Sequence, residues 1–203
     1  MISVIDYGVC NLGSMLNMLR KVGAEAELVS TVAALERAGK LVLPGVGAFD
    51  NGICALRERG LAEALRKRVL QDKVPLLGVC LGMQMLGRRS EEGGMEGLGL
   101  IDAEVRRFRF APDSRNKVPH MGWNLLAPRR DGPLLRELGA RSRFYFCHSY
   151  HLVCADPGDV LATADYGGEF VAVLQHDNVY GVQFHPEKSH RFGMALLHNF
   201  AEL

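Results

Sequence analysis

The sequence has no excess charge of either sign: 24 Lys and Arg stand against 23 Asp and Glu, for a formal net charge of +1. That removes the electrostatic case for nucleic acid or a membrane surface as partner. There is no long hydrophobic run either. The longest, Val74 to Leu86, is interrupted by glycine and by Gln84 and is too short to span a bilayer. The stretch Met1-Ile2-Ser3-Val4-Ile5 has no basic flank and meets Asp6 too early for a signal peptide. A soluble, cytoplasmic protein is therefore expected. The five cysteines, at 10, 54, 80, 147 and 154, include no C-x-x-C pair, and no His stands at zinc-finger spacing. That pattern argues against a disulfide framework and a structural metal, and no cofactor is expected. Cys10, Cys54, Cys147 and Cys154 read as small packing residues. With no repeat, low-complexity tract or linker, the 203 residues read as one domain spanning 1–203.

What is present begins with an alternation of strand and helix signals. Ile2-Ser3-Val4-Ile5, Ala26-Glu27-Leu28-Val29, Leu41-Val42-Leu43 and Val74-Pro75-Leu76-Leu77 read as strands. Between them lie helical periods: Leu12 to Val22, a short one at Ala33 to Arg37, and a long one running from Ile53 to Val69. The second half carries short strands separated by turn residues, at Phe144-Cys147, Leu161-Ala164, Val171-Leu174 and Val179-Phe184, and the chain closes in a helix over Arg191 to Leu203. The fold class expected is α/β: a mostly parallel sheet flanked by helices, with added antiparallel strands. Active sites of such sheets lie beyond the carboxyl ends of the strands. Asp6-Tyr7-Gly8, Pro44-Gly45-Val46-Gly47 and Gly78-Val79-Cys80 all stand at such ends, so three loops are expected to converge.

Gly78-Val79-Cys80-Leu81-Gly82, between a strand and a helical stretch, has the layout of a nucleophile elbow with Cys in place of Ser. A Cys nucleophile needs a base, and the base an orienter. His185-Pro186-Glu187 supplies both on what reads as an extended segment, so the two side chains can face one side. Acyl chemistry also needs donors for an oxyanion. The N–H of Leu81 is the first, and the N–H of Val46 the second, with Gly47 lining the pocket. Glycines on both sides of Val46 leave its peptide units free to reorient, so the hole is expected to be incomplete until something stabilises it.

Leu43-Pro44-Gly45-Val46-Gly47-Ala48-Phe49, Gly78 to Gln84, and Gly181-Val182-Gln183-Phe184-His185-Pro186-Glu187-Lys188-Ser189 resemble the class I (triad) glutamine amidotransferases. The resemblance covers essentially the whole chain and implies a flavodoxin-like fold. More narrowly, Asp6-Tyr7-Gly8 with Asn11-Leu12, Lys117 to Asn124, and His148-Ser149-Tyr150 look like the glutaminase subunit of imidazole glycerol phosphate synthase. The resemblance implies that Cys80 attacks the side-chain amide of L-glutamine, His185 shuttles the proton and Glu187 orients His185. It implies that Gln84, Ser149 and Tyr150 bind the substrate, and that ammonia passes to a (β/α)8 cyclase subunit. Asn11, Lys117, His120, Met121, Gly122, Trp123 and Asn124 would lie at that interface.

The tail His190-Arg191-Phe192-Gly193-Met194, with Asn11-Leu12-Gly13-Ser14 and Asn17-Met18-Leu19, is similar to a paralogous branch that supplies nitrogen for amidino-sugar (surface polysaccharide) synthesis. Both destinations of the ammonia stay open. So does a free-standing cysteine γ-glutamyl hydrolase using the same triad.

Overall fold

Short apolar runs bounded by turn residues form buried strands, and the helical periods between them form the layers that bury those strands. The computed structural model describes residues 1–8, 10, 12–139 and 141–203. The first half comprises β1 (Ile2–Ile5), α1 (Leu12–Lys21), β2 (Ala26–Val29), α2 (Val32–Leu35), β3 (Leu41–Gly45), α3 (Phe49–Glu58), α4 (Leu61–Leu70), β4 (Leu76–Cys80) and α5 (Leu81–Met85). The second comprises β5 (Arg89–Ser90), β6 (Ala103–Arg107), β7 (His120–Leu125), β8 (Ala127–Pro128), β9 (Arg143–His148), β10 (Tyr150–Cys154), β11 (Val160–Asp165), β12 (Glu169–His176), β13 (Val179–Val182) and α6 (His190–Ala201).

The main sheet has eight strands in the order β2-β1-β3-β4-β13-β12-β11-β8. From β2 to β13 the pairing is parallel, and from β13 to β8 it is antiparallel. Strand residues alternate between the two faces as the pleat demands. Ile5 and Leu43 join a core under α3 and α4 with Ile53, Leu56 and Leu65. Val4, Val42 and Val79 join a second core with Met15 and Leu19 of α1 and Leu196, Leu197 and Phe200 of α6. Two smaller sheets, β10-β6-β5 and the antiparallel pair β7–β9, lie outside this frame.

The helix expected over Ile53 to Val69 is two helices. Gly60 takes φ +68° between α3 and α4, and a residue in that left-handed region ends a helix. The apolar period survives the break, because Leu56, Leu61, Leu65 and Val69 are all buried. The last expected strand stops at Val182 rather than Phe184.

At the end of β4 the chain reverses within one residue into α5. Cys80 sits at φ +54°, ψ −111°, a conformation that costs a non-glycine residue on the order of 1–3 kcal/mol. The turn brings the backbone of Gly82 against β3, where an added Cβ would collide with the Leu43 carbonyl. Gly82→Ala is therefore expected to lower stability by about 3 kcal/mol, or about 6–12 °C in melting temperature. Gly13→Ala, inside α1 with open space around it, is expected to hold or slightly raise it. Thermal unfolding of the two variants checks this, and an unchanged melting temperature for Gly82→Ala would refute the close approach.

Candidate active site

The register of the parallel strands assembles the site. Gly45 at the end of β3 lies opposite Cys80 at the end of β4, and on the other side Val182 of β13 pairs with Val79. Three residues beyond Val182, His185 therefore arrives beside the Cys80 thiol. Pro186–Lys188 form a 3-10 turn, not the extended segment expected from the sequence. Pro186 suits the first position of such a turn because its φ is already set. The turn folds Glu187 back, so that its Oε1 accepts from His185 Nδ1 at 2.8 Å. The turn is fixed in place: the His185 N–H donates to the Tyr145 carbonyl at 2.9 Å, and the Ser189 hydroxyl donates to the His185 carbonyl at 2.6 Å.

Burial by itself pushes the His185 imidazolium down. The hydrogen bonds to Cys80 and Glu187, and the negative charge on both, outweigh it and lift His185 to about 10. A carboxylate on Nδ1 and a sulfur on the other side make an ordered Cys–His–Glu array, the arrangement that readies a cysteine for attack on an acyl carbon.

A cavity of about 330 Å³ opens over this pair. Its walls include Val46 and Gly47 after β3, Leu81 and Gln84 of α5, and Ser149 and Tyr150 between β9 and β10. All six were expected from the sequence. The third loop expected at this edge, Asp6-Tyr7-Gly8, does not line the cavity. Tyr7 lies buried beneath it, and its hydroxyl donates to the Pro44 carbonyl at 2.7 Å. Burial raises the Tyr7 hydroxyl, which keeps it a neutral donor supporting the Val46 loop.

A family model described as glutamine amidotransferase class-I matches residues 3–203. The chain is 53% identical over 203 residues to imidazole glycerol phosphate synthase subunit HisH 2 of Pseudomonas aeruginosa, covering all of both chains. It is 48% identical over 200 residues to the HisH 2 subunit of Methanococcus maripaludis, covering 98% of each. Among solved structures it resembles PurLQS from Thermotoga maritima, with TM-score 0.76 at 20% identity, covering 99% of this chain and 97% of that one. The chain belongs to the class I glutamine amidotransferase family.

This amidotransferase holds pocket residues that sequence reasoning missed. Glu92 lines the cavity, and its Oε2 accepts the Phe49 N–H at the start of α3, at 2.8 Å. It sits in Ser90-Glu91-Glu92-Gly93-Gly94, whose only signal is a pair of acids in a loop. His148, Cys147, Pro119 and Lys188 line it as well. Among the described residues no two cysteines are joined in a disulfide.

The stretch expected at a partner interface divides between two faces, because it is a strand. Met121 is 61% exposed and Trp123 45%, with Leu125 on the same outer face, while His120 is 3% exposed and stacks on Tyr166 at 4.1 Å. His120 is therefore no surface residue, which corrects its placement at the interface. Asn124 turns to the same side as His120, and its Nδ2 donates to the Asp165 carbonyl at 2.7 Å. Gly122 is half-buried and Lys117 exposed, while Asn11 lies outside the described residues. Trp123 stacks flat on His190 at 5.5 Å, and the Arg143 guanidinium lies 5.8 Å from its ring.

Burial lowers His120 to about 4 and His148 to about 3, opposite to His185. Nitrogen-15 spectra of the imidazoles should show His185 still protonated at about pH 8 and His120 and His148 still neutral at about pH 5. The linkage runs in opposite senses. His185 stabilises the fold fully below its ordinary 6.5, and loses that contribution as pH rises through about 10. The two depressed histidines contribute fully above 6.5 and lose it as pH falls toward 4. A neutral His185 at about pH 8 would remove the ion pair.

Proposed function

We propose that this protein is the glutaminase subunit of imidazole glycerol phosphate synthase, a single cytoplasmic glutamine amidotransferase domain over residues 1–203. It hydrolyses L-glutamine to glutamate and ammonia and passes the ammonia to a (β/α)8 cyclase subunit for histidine biosynthesis. The observation that carries this reading is the Cys80–His185–Glu187 array at the floor of a cavity of amino-acid size.

The Cys80 thiolate attacks the side-chain carbonyl carbon of glutamine. The oxyanion is met by the N–H groups of Leu81 and Val46. His185 gives its proton to the departing nitrogen, and ammonia leaves a glutamyl thioester. His185, now neutral, takes a proton from water, which attacks the thioester and releases glutamate. Glu187 holds the ring and stabilises each imidazolium stage. At the other end of the substrate, Glu92 is the carboxylate lining the cavity and suits the α-ammonium. Gln84, which also lines the cavity, spends its Nε2 on the Tyr150 carbonyl and Gln183, which leaves its Oε1 as the acceptor it can offer the substrate. Gly47, Ser149 and Tyr150 enclose the carboxylate end.

Ammonia becomes ammonium in water and loses its nucleophilicity, so release into a bound partner is worth more than release into solvent. The outer face of β7, with Met121 and Trp123 and with Lys117 and Gly122 at its rim, supports docking of the cyclase there.

A second reading, that the ammonia serves amidino-sugar synthesis, is favoured by one feature. His190, from the tail similar to the paralogous branch, stacks on Trp123. One residue of that tail thus stands at the face proposed for the partner.

Glutamate release should be measured for the chain alone and with the histidine-pathway cyclase of the same cell. Strong stimulation, abolished about a thousandfold or more in Cys80→Ala, is the expected result. No stimulation, with Cys80 still labelled by a glutamine analogue, would transfer the chain to the second reading. Trp123→Ala should weaken cyclase binding about 30-fold, on the order of 2 kcal/mol, without changing the melting temperature. Calorimetric titration of the two subunits checks it, and unchanged affinity would place the interface elsewhere.

A further inference from the structure

A chain of buried hydrogen bonds ends on the nucleophile, and its direction follows from one backbone carbonyl. The Tyr150 carbonyl can only accept. His148 Nδ1 and Gln84 Nε2 both approach it, each at 2.8 Å. His148 therefore carries its proton on Nδ1, and its Nε2 is a bare acceptor for His120 Nδ1, 3.1 Å away. On the other branch, Gln84 must present its NH2 group to Tyr150, and that same nitrogen donates to Gln183 Oε1 at 3.1 Å. With its oxygen committed, Gln183 turns its own NH2 the other way. Cys80 Sγ lies there, 3.9 Å from Nε2, within hydrogen-bonding reach of a sulfur acceptor. Gln183 is fully buried, and its backbone N–H is pinned to the Ala172 carbonyl at 2.9 Å. A side chain so enclosed has no freedom to flip without orphaning a buried donor and a buried acceptor.

We infer that Gln183 is a further catalytic residue: it donates a carboxamide N–H to the Cys80 sulfur and stabilises the thiolate that attacks the substrate. The inference deepens the proposed function and rests on Cys80 being its nucleophile. A hydrogen bond to an anionic sulfur is stronger than one to a neutral thiol, so the donor shifts the balance toward thiolate. His185 supplies one such donor, which changes its proton during turnover. Gln183 supplies a second that does not titrate, and so remains on the sulfur when His185 has given its proton away. The same carboxamide holds Gln84, which ties the position of a substrate-binding group to that of the nucleophile.

The test is alkylation of Cys80 by iodoacetamide across the pH range, read by peptide mass, in the full chain without glutamine or partner. Wild type is compared with Gln183→Met, which keeps the volume and loses the donor, and with Gln183→Glu, which also brings negative charge to the sulfur. Two pH units below the plateau, Gln183→Met should react about tenfold more slowly than wild type and Gln183→Glu more slowly still, while the plateau rates agree. Superimposed profiles in folded variants would overturn the inference. Should the variants not fold, the side-chain amide resonances of Gln183 decide it in the native sequence. They should titrate with the alkylation midpoint and stay flat in Cys80→Ala, and flat resonances in wild type would overturn it equally. Because iodoacetamide needs no glutamine, a shifted profile with no glutamate release even when the histidine-pathway cyclase is added would sink the proposed function and leave the role of Gln183 at the sulfur intact.

Discussion

The pairing of β13 with β4 is the constraint on which the site depends. A strand from near the end of the chain inserts between one from its middle and the antiparallel extension of the sheet. In that register Gly181 faces Gly78 and Val182 faces Val79, so the residues that follow both strands emerge side by side. Cys80 and His185 meet for that reason, and not because of any local signal joining them. The tight turn at Cys80 then sets the angle of the thiol, and the turn begun at Pro186 brings Glu187 behind the imidazole. A slip of one residue in the pairing would send each of these side chains to the opposite face of the sheet.

Around this contact the protein buries polar groups instead of excluding them. Three buried histidines illustrate the consequence. His185 is held charged because its neighbours are a carboxylate and a sulfur. His120 and His148 are held neutral because burial is not offset by any anion, and their neighbours are each other, a carbonyl and aromatic rings. Residue type and burial are shared, and the partners alone decide the charge. Neutral histidines have fixed donor and acceptor ends, and His148 donates to the same Tyr150 carbonyl that sets the direction of Gln84 and, through it, of Gln183.

The same alternation that builds the strands divides the roles of β7. Its inner side chains, His120 and Asn124, join a buried polar layer with His148, and its outer ones, Met121 and Trp123, form an apolar face beside His190 and Arg143. A single strand thus carries both a buried polar face and the surface at which a partner would dock.

The sequence by itself determined whatever depends on a few neighbouring residues. The strand and helix alternation, the elbow at Cys80, the His185-Pro186-Glu187 turn as a source of base and orienter, and the Val46-Gly47 loop were all legible, because periodicity and backbone restriction act over short spans. Even locally the reading had limits. The break at Gly60 was hidden by an apolar period that runs on through it, and the Pro186 turn looked extended, because proline restricts its predecessor to β space and also opens a tight helix turn. Tertiary structure decided the rest. Glu92 reaches the cavity only because its loop is tied to the start of α3, through Phe49 and through the two backbone bonds that Asp50 accepts from Gly94 and Met95. His120 left the surface because strand pairing turned it inward. Gln183 faces sulfur because a carbonyl on another strand committed its oxygen through Gln84. Burial, register and hydrogen-bond direction are properties of groups far apart in the chain, and they exist only once the sheet has closed around them.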